Sequence, residues 1–273
     1  MKGSWRIGAI KGIDIYIHVT FFLLLGWFGM SSLISQQSIA ASVSSMVYIV
    51  LLFSIVVLHE LGHSLTARHF GIITRRITLL PIGGVAQLEK MPENPKQELL
   101  ISIAGPAVNI VLALMLLVIG MLSSTFNAIT GFTIIGADLV SRLVWVNVGL
   151  AVFNLLPAFP MDGGRVLRAI LAFRKPYLSA TETALKVSKV FAVLFGIIGL
   201  FTNAFLILIG IFVWISGSQE YEMVKMKHTW QNPLFPETAF ENIYAPHANF
   251  WIHVPRSQNN NNKSRRYRGD GDF

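Results

Sequence analysis

The sequence predicts an all-α polytopic membrane protein with six transmembrane helices, a small membrane-associated β-hairpin or sheet, and a broken fourth helix. Composition is the first reason. Of 273 residues, 53% are apolar and only 13% charged, against roughly 25% charged in an average soluble domain. Placement is the second reason, because residues 15–58, 99–137, 143–161 and 190–219 contain no Asp, Glu, Lys or Arg. A helix needs about 20 apolar residues to cross roughly 30 Å of hydrocarbon, and each of these stretches approaches or exceeds that length.

The first stretch is too long for one helix. The polar run Ser35, Gln36, Gln37, Ser38 divides it into helices over 17–35 and 45–67. A charged segment rich in Gly and Pro follows over 68–98, then a helix over 99–122. A polar loop through Asn127 and Gly131 leads to a fourth helix over 139–156, which Pro157 and Pro160 end. The last stretch would overrun the bilayer as a single helix. A turn at Thr202-Asn203 gives helices over 185–201 and 204–219.

Cations fit this arrangement. With the N-terminus in the cytoplasm, the outer loops near 36–44, 123–138 and 202–203 carry no Lys or Arg. Basic residues mark cytoplasmic loops, so six spans place both termini inside a cell membrane. The net charge of +8 is then assigned to topology and the bilayer, and no nucleic-acid partner is expected. We divide the chain into a membrane domain over 1–221 and a cytoplasmic tail over 222–273. Its Pro-interrupted aromatics, asparagine run and basic end point to partial disorder.

Cysteine is absent, which excludes disulfides and thiolate metal sites and leaves His and carboxylate as candidate ligands. The second helix ends in His59-Glu60-Leu61-Gly62-His63. Residues four apart share a helical face, so both imidazoles can meet one cation, and Glu60 can reach a water beside it. A shuffled chain of this composition would contain about 0.006 such matches. The competing reading is a helix end with two satisfied histidines, but ionisable residues at membrane depth are generally functional.

A catalytic zinc takes three protein ligands and leaves one position open. Asp14, Asp138 and Asp162 are the carboxylates nearest the apolar core. Asp162 lies at the inner end of the fourth helix, at the depth of His59. It sits in Asn154-Leu155-Leu156-Pro157-Ala158-Phe159-Pro160-Met161-Asp162-Gly163-Gly164. Two prolines and two glycines there unwind the chain and let the carboxylate turn inward. A simple cap of the next helix is the alternative role for Asp162.

Together the His-Glu-Leu-Gly-His motif and the distal Asn-x-x-Pro-x-x-Pro-x-Asp-Gly-Gly motif resemble those of the site-2 protease family, intramembrane zinc metalloproteases of peptidase family M50. The resemblance spans roughly 1–220. It takes in Arg76 to Val85, with Pro81, Gly83 and Gly84, and Ala104-Gly105-Pro106-Ala107-Val108-Asn109. It implies one zinc per chain held by His59, His63 and Asp162, with Glu60 as catalytic acid and base. The implied reaction hydrolyses peptide bonds in or near the spans of membrane-anchored proteins, with a single-span protein as the expected substrate. The short loop over 123–138 and the short tail match the compact six-span form without PDZ or CBS domains.

The resemblance also makes Asn154 and Asn109 candidates to stabilise the reacting carbonyl, with helix-to-helix hydrogen bonding as the other reading. Residues 76–89 read as strand, Gly turn, strand. Gly83 and Gly84 are candidate substrate contacts beside an edge that an extended substrate can join; a plain surface hairpin is the alternative. Two other classes, a metal transporter and a non-proteolytic membrane chaperone, fit less well. The first would spread ligands along a path, and the second would have lost Glu60 or a ligand.

Overall fold

A computed structural model describes residues 3–35, 39–80, 83–88, 92–130 and 137–230. Met1–His228 form one unit and Thr229–Phe273 a second; the account below concerns the first. Apart from its start, the tail over 222–273 lies outside the described residues.

The chain opens with two strands, β1 (Ser4–Ile10) and β2 (Ile13–His18), which pair antiparallel. Between them Lys11 and Gly12 both adopt positive φ, 47° and 79°, the backbone of a tight hairpin turn that follows the strand twist. Two helices follow, α1 (Val19–Ile34) and α2 (Ile39–His69). The chain then returns as β3 (Thr74–Leu80) and β4 (Gly83–Leu88). β3 lies parallel to β2, with Asp14 opposite Arg76, and antiparallel to β4. The result is a four-stranded sheet in the order β1-β2-β3-β4.

The sheet extends the hairpin expected over 76–89 by two strands that the sequence reading passed over. Ile13, Ile15 and Ile17 alternate with polar neighbours, the period of a half-buried strand. Ile13 and Ile77 are buried against Leu61, in the middle of the histidine motif, with Val57 and Leu65 beside them. The sheet therefore backs the part of α2 that carries the candidate site. Above it Phe21, Ile49, Phe53 and Leu79 form a second cluster, with the Phe21 and Phe53 rings edge to face at 4.7 Å.

The remaining helices are α3 (Pro95–Thr130), α4 (Ala137–Asn154), α5 (Asp162–Ala172), α6 (Tyr177–Phe201) and α7 (Ala204–Trp230). α5 was not foreseen, and α6 begins ahead of the expected position 185. By length and composition four helices are able to cross a bilayer: Ser42–His69, Pro95–Leu122, Tyr177–Phe201 and Ala204–Thr229. Of the six expected spans these are four; the other two apolar helices, Val19–Ser31 and Leu139–Asn154, are shorter. Large apolar side chains lie exposed on the long helices, among them Leu114, Val118, Leu122, Leu194 and Ile197. A surface of that extent suits hydrocarbon rather than water, and the chain is a membrane protein.

Two glycines set the helix spacing. A Cβ at Gly62 would lie 2.8 Å from the Ala104 carbonyl oxygen, and one at Gly210 would lie 2.6 Å from that of Ala192. Glycine therefore lets α2 approach α3, and α7 approach α6, nearly backbone to backbone.

Candidate metal centre

One helical turn separates His59 from His63, and their rings meet edge to face with centroids 4.8 Å apart. Their Nε2 atoms are 3.1 Å apart. Asp162 Oδ2 completes the triangle, 3.2 Å from His59 Nε2 and 3.1 Å from His63 Nε2. All three residues are buried. Among the described residues no other group of three His or carboxylate side chains converges in this way.

The far side of each ring decides what the triangle can do. His63 Nδ1 donates to the Ile101 carbonyl oxygen at 2.7 Å, and His59 Nδ1 donates to Asn109 Oδ1 at 2.9 Å. With Nδ1 holding the proton, each neutral ring turns an Nε2 lone pair toward the other and toward a carboxylate. Three acceptors within 3.2 Å repel one another unless a cation lies among them. Ligand atoms around a tetrahedral zinc stand about 3.3 Å apart, so the separations and the two-nitrogen, one-oxygen donor set fit that ion. Hydrogen-bonded Nδ1 atoms are also the usual outer support of zinc-binding histidines.

α3 completes the pocket by withholding a side chain. A Cβ at Gly105 would collide with the His63 ring and lie 2.8 Å from His59 Nε2, so only glycine lets this helix face the triangle. Asp162 arrives by a different device. α4 stops at Asn154, and a tight loop with a cis bond between Phe159 and Pro160 leads to Asp162 in the first turn of α5. Gly163 and Gly164 pack onto the backbone of Leu155, Leu156, Ala158 and Phe159 at separations that no Cβ tolerates. The Phe159 N–H donates to Ser188 Oγ at 2.8 Å.

The other candidates occupy distinct places. Glu60 is partly exposed, and its charged neighbours are His63, His59, Asp162 and Arg165. Asn109 is fully buried behind His59. Its carbonyl oxygen supports a ring, and only its Nδ2 lacks a partner among the described residues. Asn154 closes α4 and is half-buried. Gly83 and Gly84 open β4, opposite Leu80 and Leu79. The sequence reading missed Ile101, whose contribution is a backbone carbonyl, and the clearance that Gly105 gives the two histidine rings.

It also missed a second buried cluster on α5. Arg168 is fully buried, its Nε donating to Glu98 Oε1 and its Nη1 to Glu220 Oε1, both at 2.8 Å. The rings of Phe159 and Tyr177 lie 5.1 Å and 4.9 Å from its guanidinium carbon.

Comparison with known proteins agrees with this geometry. A zinc metalloprotease of Methanocaldococcus jannaschii is 40% identical over 246 residues, covering 90% of this chain and 66% of the relative. A putative zinc metalloprotease of Synechocystis is 38% identical over 177 residues, 63% of this chain and 45% of the relative. The chain thus spans less than two thirds of the length of these curated relatives. The solved site-2 protease from Methanocaldococcus jannaschii superposes with a TM-score of 0.57 at 39% identity, over 80% of this chain and 95% of that one. The model of peptidase family M50 matches residues 47–195, a stretch that contains the whole triangle, Glu60 and the supporting residues of α3, and the chain belongs to that family of zinc metalloproteases.

Proposed function

We propose that this chain is an intramembrane zinc metalloprotease that hydrolyses peptide bonds in or near the spans of membrane-anchored proteins, with a single-span protein as substrate. The observation that carries the reading is the triangle of acceptors, with both Nδ1 protons turned outward onto carbonyl oxygens. His59, His63 and Asp162 would hold one zinc ion, which when bound polarises the scissile carbonyl and acidifies water.

The protein's own groups supply the rest. Glu60, next to His59 and partly exposed, accepts a proton from the attacking water and returns it to the leaving amide nitrogen. The buried walls around His59, His63 and Asp162 exclude bulk water, which strengthens each charge interaction there. β4 is the last strand of the sheet order and runs against α2. An extended substrate can add to its free edge near Gly83 and Gly84, fixing an unwound backbone beside the site. Asn154, at the broken end of α4, and the Nδ2 of Asn109 are the amides available to the developing oxyanion.

We place the protein as a multi-pass chain of the cell membrane with both termini in the cytoplasm. The sheet supports a crossing by α1 despite its shortness. β2 precedes α1, β3 follows α2, and the two strands are hydrogen-bonded neighbours, so the chain leaves and returns on one side. If α2 crosses, α1 must cross as well. The membrane domain over 1–221 and the separate tail over 222–273 belong to this proposal.

The test is Glu60→Gln in protein reconstituted with a single-span substrate. Zinc stays near one per chain while cleavage disappears. Retained cleavage overturns the role of Glu60, and zinc flux without cleavage overturns the protease reading.

A further inference from the structure

Arg168 takes no part in the chemistry proposed above, yet it is fully buried and tied to three other helices. Through Nε it holds Glu98 in the first turn of α3, and through Nη1 it holds Glu220 on α7. Tyr177, at the start of α6, lays its ring near the guanidinium and donates its hydroxyl to the same Glu98 oxygen at 3.3 Å. Phe159, beside the guanidinium, belongs to the loop that delivers Asp162.

These contacts join the two halves of the metal centre. Glu98 lies one turn before Ile101, the residue whose carbonyl orients His63, and the same helix carries Gly105 and Asn109. Arg168 lies on the helix that begins with Asp162. The Glu98 and Arg168 side chains therefore fix the distance between the helix that orients the histidines and the helix that presents the third ligand. A guanidinium suits this because its planar fork meets two carboxylates while its faces meet two rings; an ammonium cannot do both.

Resting on the zinc reading above, we propose that Arg168 is a positioning residue for the metal centre: its fork between Glu98 and Glu220 sets the placement of Asp162, and so couples metal affinity to α7. Glu220 is the adjustable arm. Its side chain is 18% exposed whereas those of Glu98 and Arg168 are 0% exposed, so a shift of α7 can release it without opening the inner pair.

The test uses the full chain in detergent, with zinc affinity read by competition against a chelator and the melting temperature read with and without zinc. Arg168→Lys keeps the charge and loses the fork; its zinc affinity falls about 10-fold, the low end of the loss seen when a group bonded directly to a metal ligand is removed. The paired variant Arg168→Met with Glu98→Gln removes both inner charges, avoids leaving either one buried alone, and shows a similar fall. Glu220→Gln leaves the inner pair intact and gives a fall of about threefold. In each variant the zinc-induced rise in melting temperature shrinks, because that rise follows the ratio of zinc to its dissociation constant.

Zinc affinity equal to wild type in folded Arg168→Lys or in the paired variant overturns the proposal. So does a drop in melting temperature that is the same with and without zinc, the sign of a purely structural role. Should neither variant fold, Glu220→Gln decides alone, and wild-type affinity there is a refutation. A wild-type chain that binds no zinc defeats the proposed function instead, so the two failures are distinguishable.

Discussion

Asp162 and Arg168 lie on the same short helix, and each sits at the centre of a buried polar cluster. Around Arg168 the cation is part of the protein, and two carboxylates and two aromatic rings are arranged about it. Around Asp162 three acceptors converge, with the imidazole protons turned away onto carbonyl oxygens. A buried cluster that contains its own counter-charge is a structural device, whereas one whose acceptors face each other requires a cation from outside. The comparison separates ligand sites from internal braces without reference to motif.

Substitutions can break or sharpen the contrast, and they rank by how directly they touch the acceptor triangle. Asp162→Ala removes its anion; zinc should fall below about 0.1 per chain by elemental analysis. Gly105→Ala drives a methyl group into both imidazoles. We expect loss of zinc together with about 3 kcal/mol of destabilisation in thermal melts, and a zinc-replete Ala variant would show that α3 can retreat. Asn109→Leu keeps the branch at Cγ but takes away the acceptor for His59 Nδ1. Zinc affinity should drop about 10-fold or more in a chelator titration.

Smaller effects belong to groups outside the triangle. Ser188→Ala strands the Phe159 N–H and should lower stability by about 1–2 kcal/mol in denaturant unfolding while zinc remains bound. Gly8→Ala, in a strand where an added Cβ meets nothing within 4 Å, should change neither zinc content nor stability beyond about 0.5 kcal/mol. If Gly8→Ala disturbed the metal centre more than Asn109→Leu, the ranking by contact with the triangle would be wrong.

Legibility in the sequence followed the same division. His59, Glu60 and His63 stand out because a helix fixes their spacing, and Asp162 because prolines and glycines surround a carboxylate at membrane depth. The Ile101 carbonyl has no side-chain signature, and the clearance at Gly105 exists only once α3 is laid against α2. Asn109 was legible as a polar residue among aliphatics, but not which group it would meet. The pairing of Arg168 with Glu98 and Glu220 joins residues far apart in sequence, and each alone reads as an ordinary charge. β1 and β2 were missed because their alternation runs into a charge-free stretch that invites a helix. Absence of charge measures hydrophobicity and not helix length, so it marks six apolar helices of which four are long enough to cross a bilayer by length and composition.

The parallel pairing of β2 with β3 bears on how the molecule is made. Asp14 finds Arg76 only after α1 and α2 have been synthesised, so this sheet cannot zip up locally as a hairpin does. Closing so long an excursion makes the central pairing a late event. The histidine helix must then form before the strands that back it can join, and Ile13 and Ile77 close over Leu61 as a final latch. During biogenesis this stretch of α2 therefore exists for a time without the sheet that later backs it.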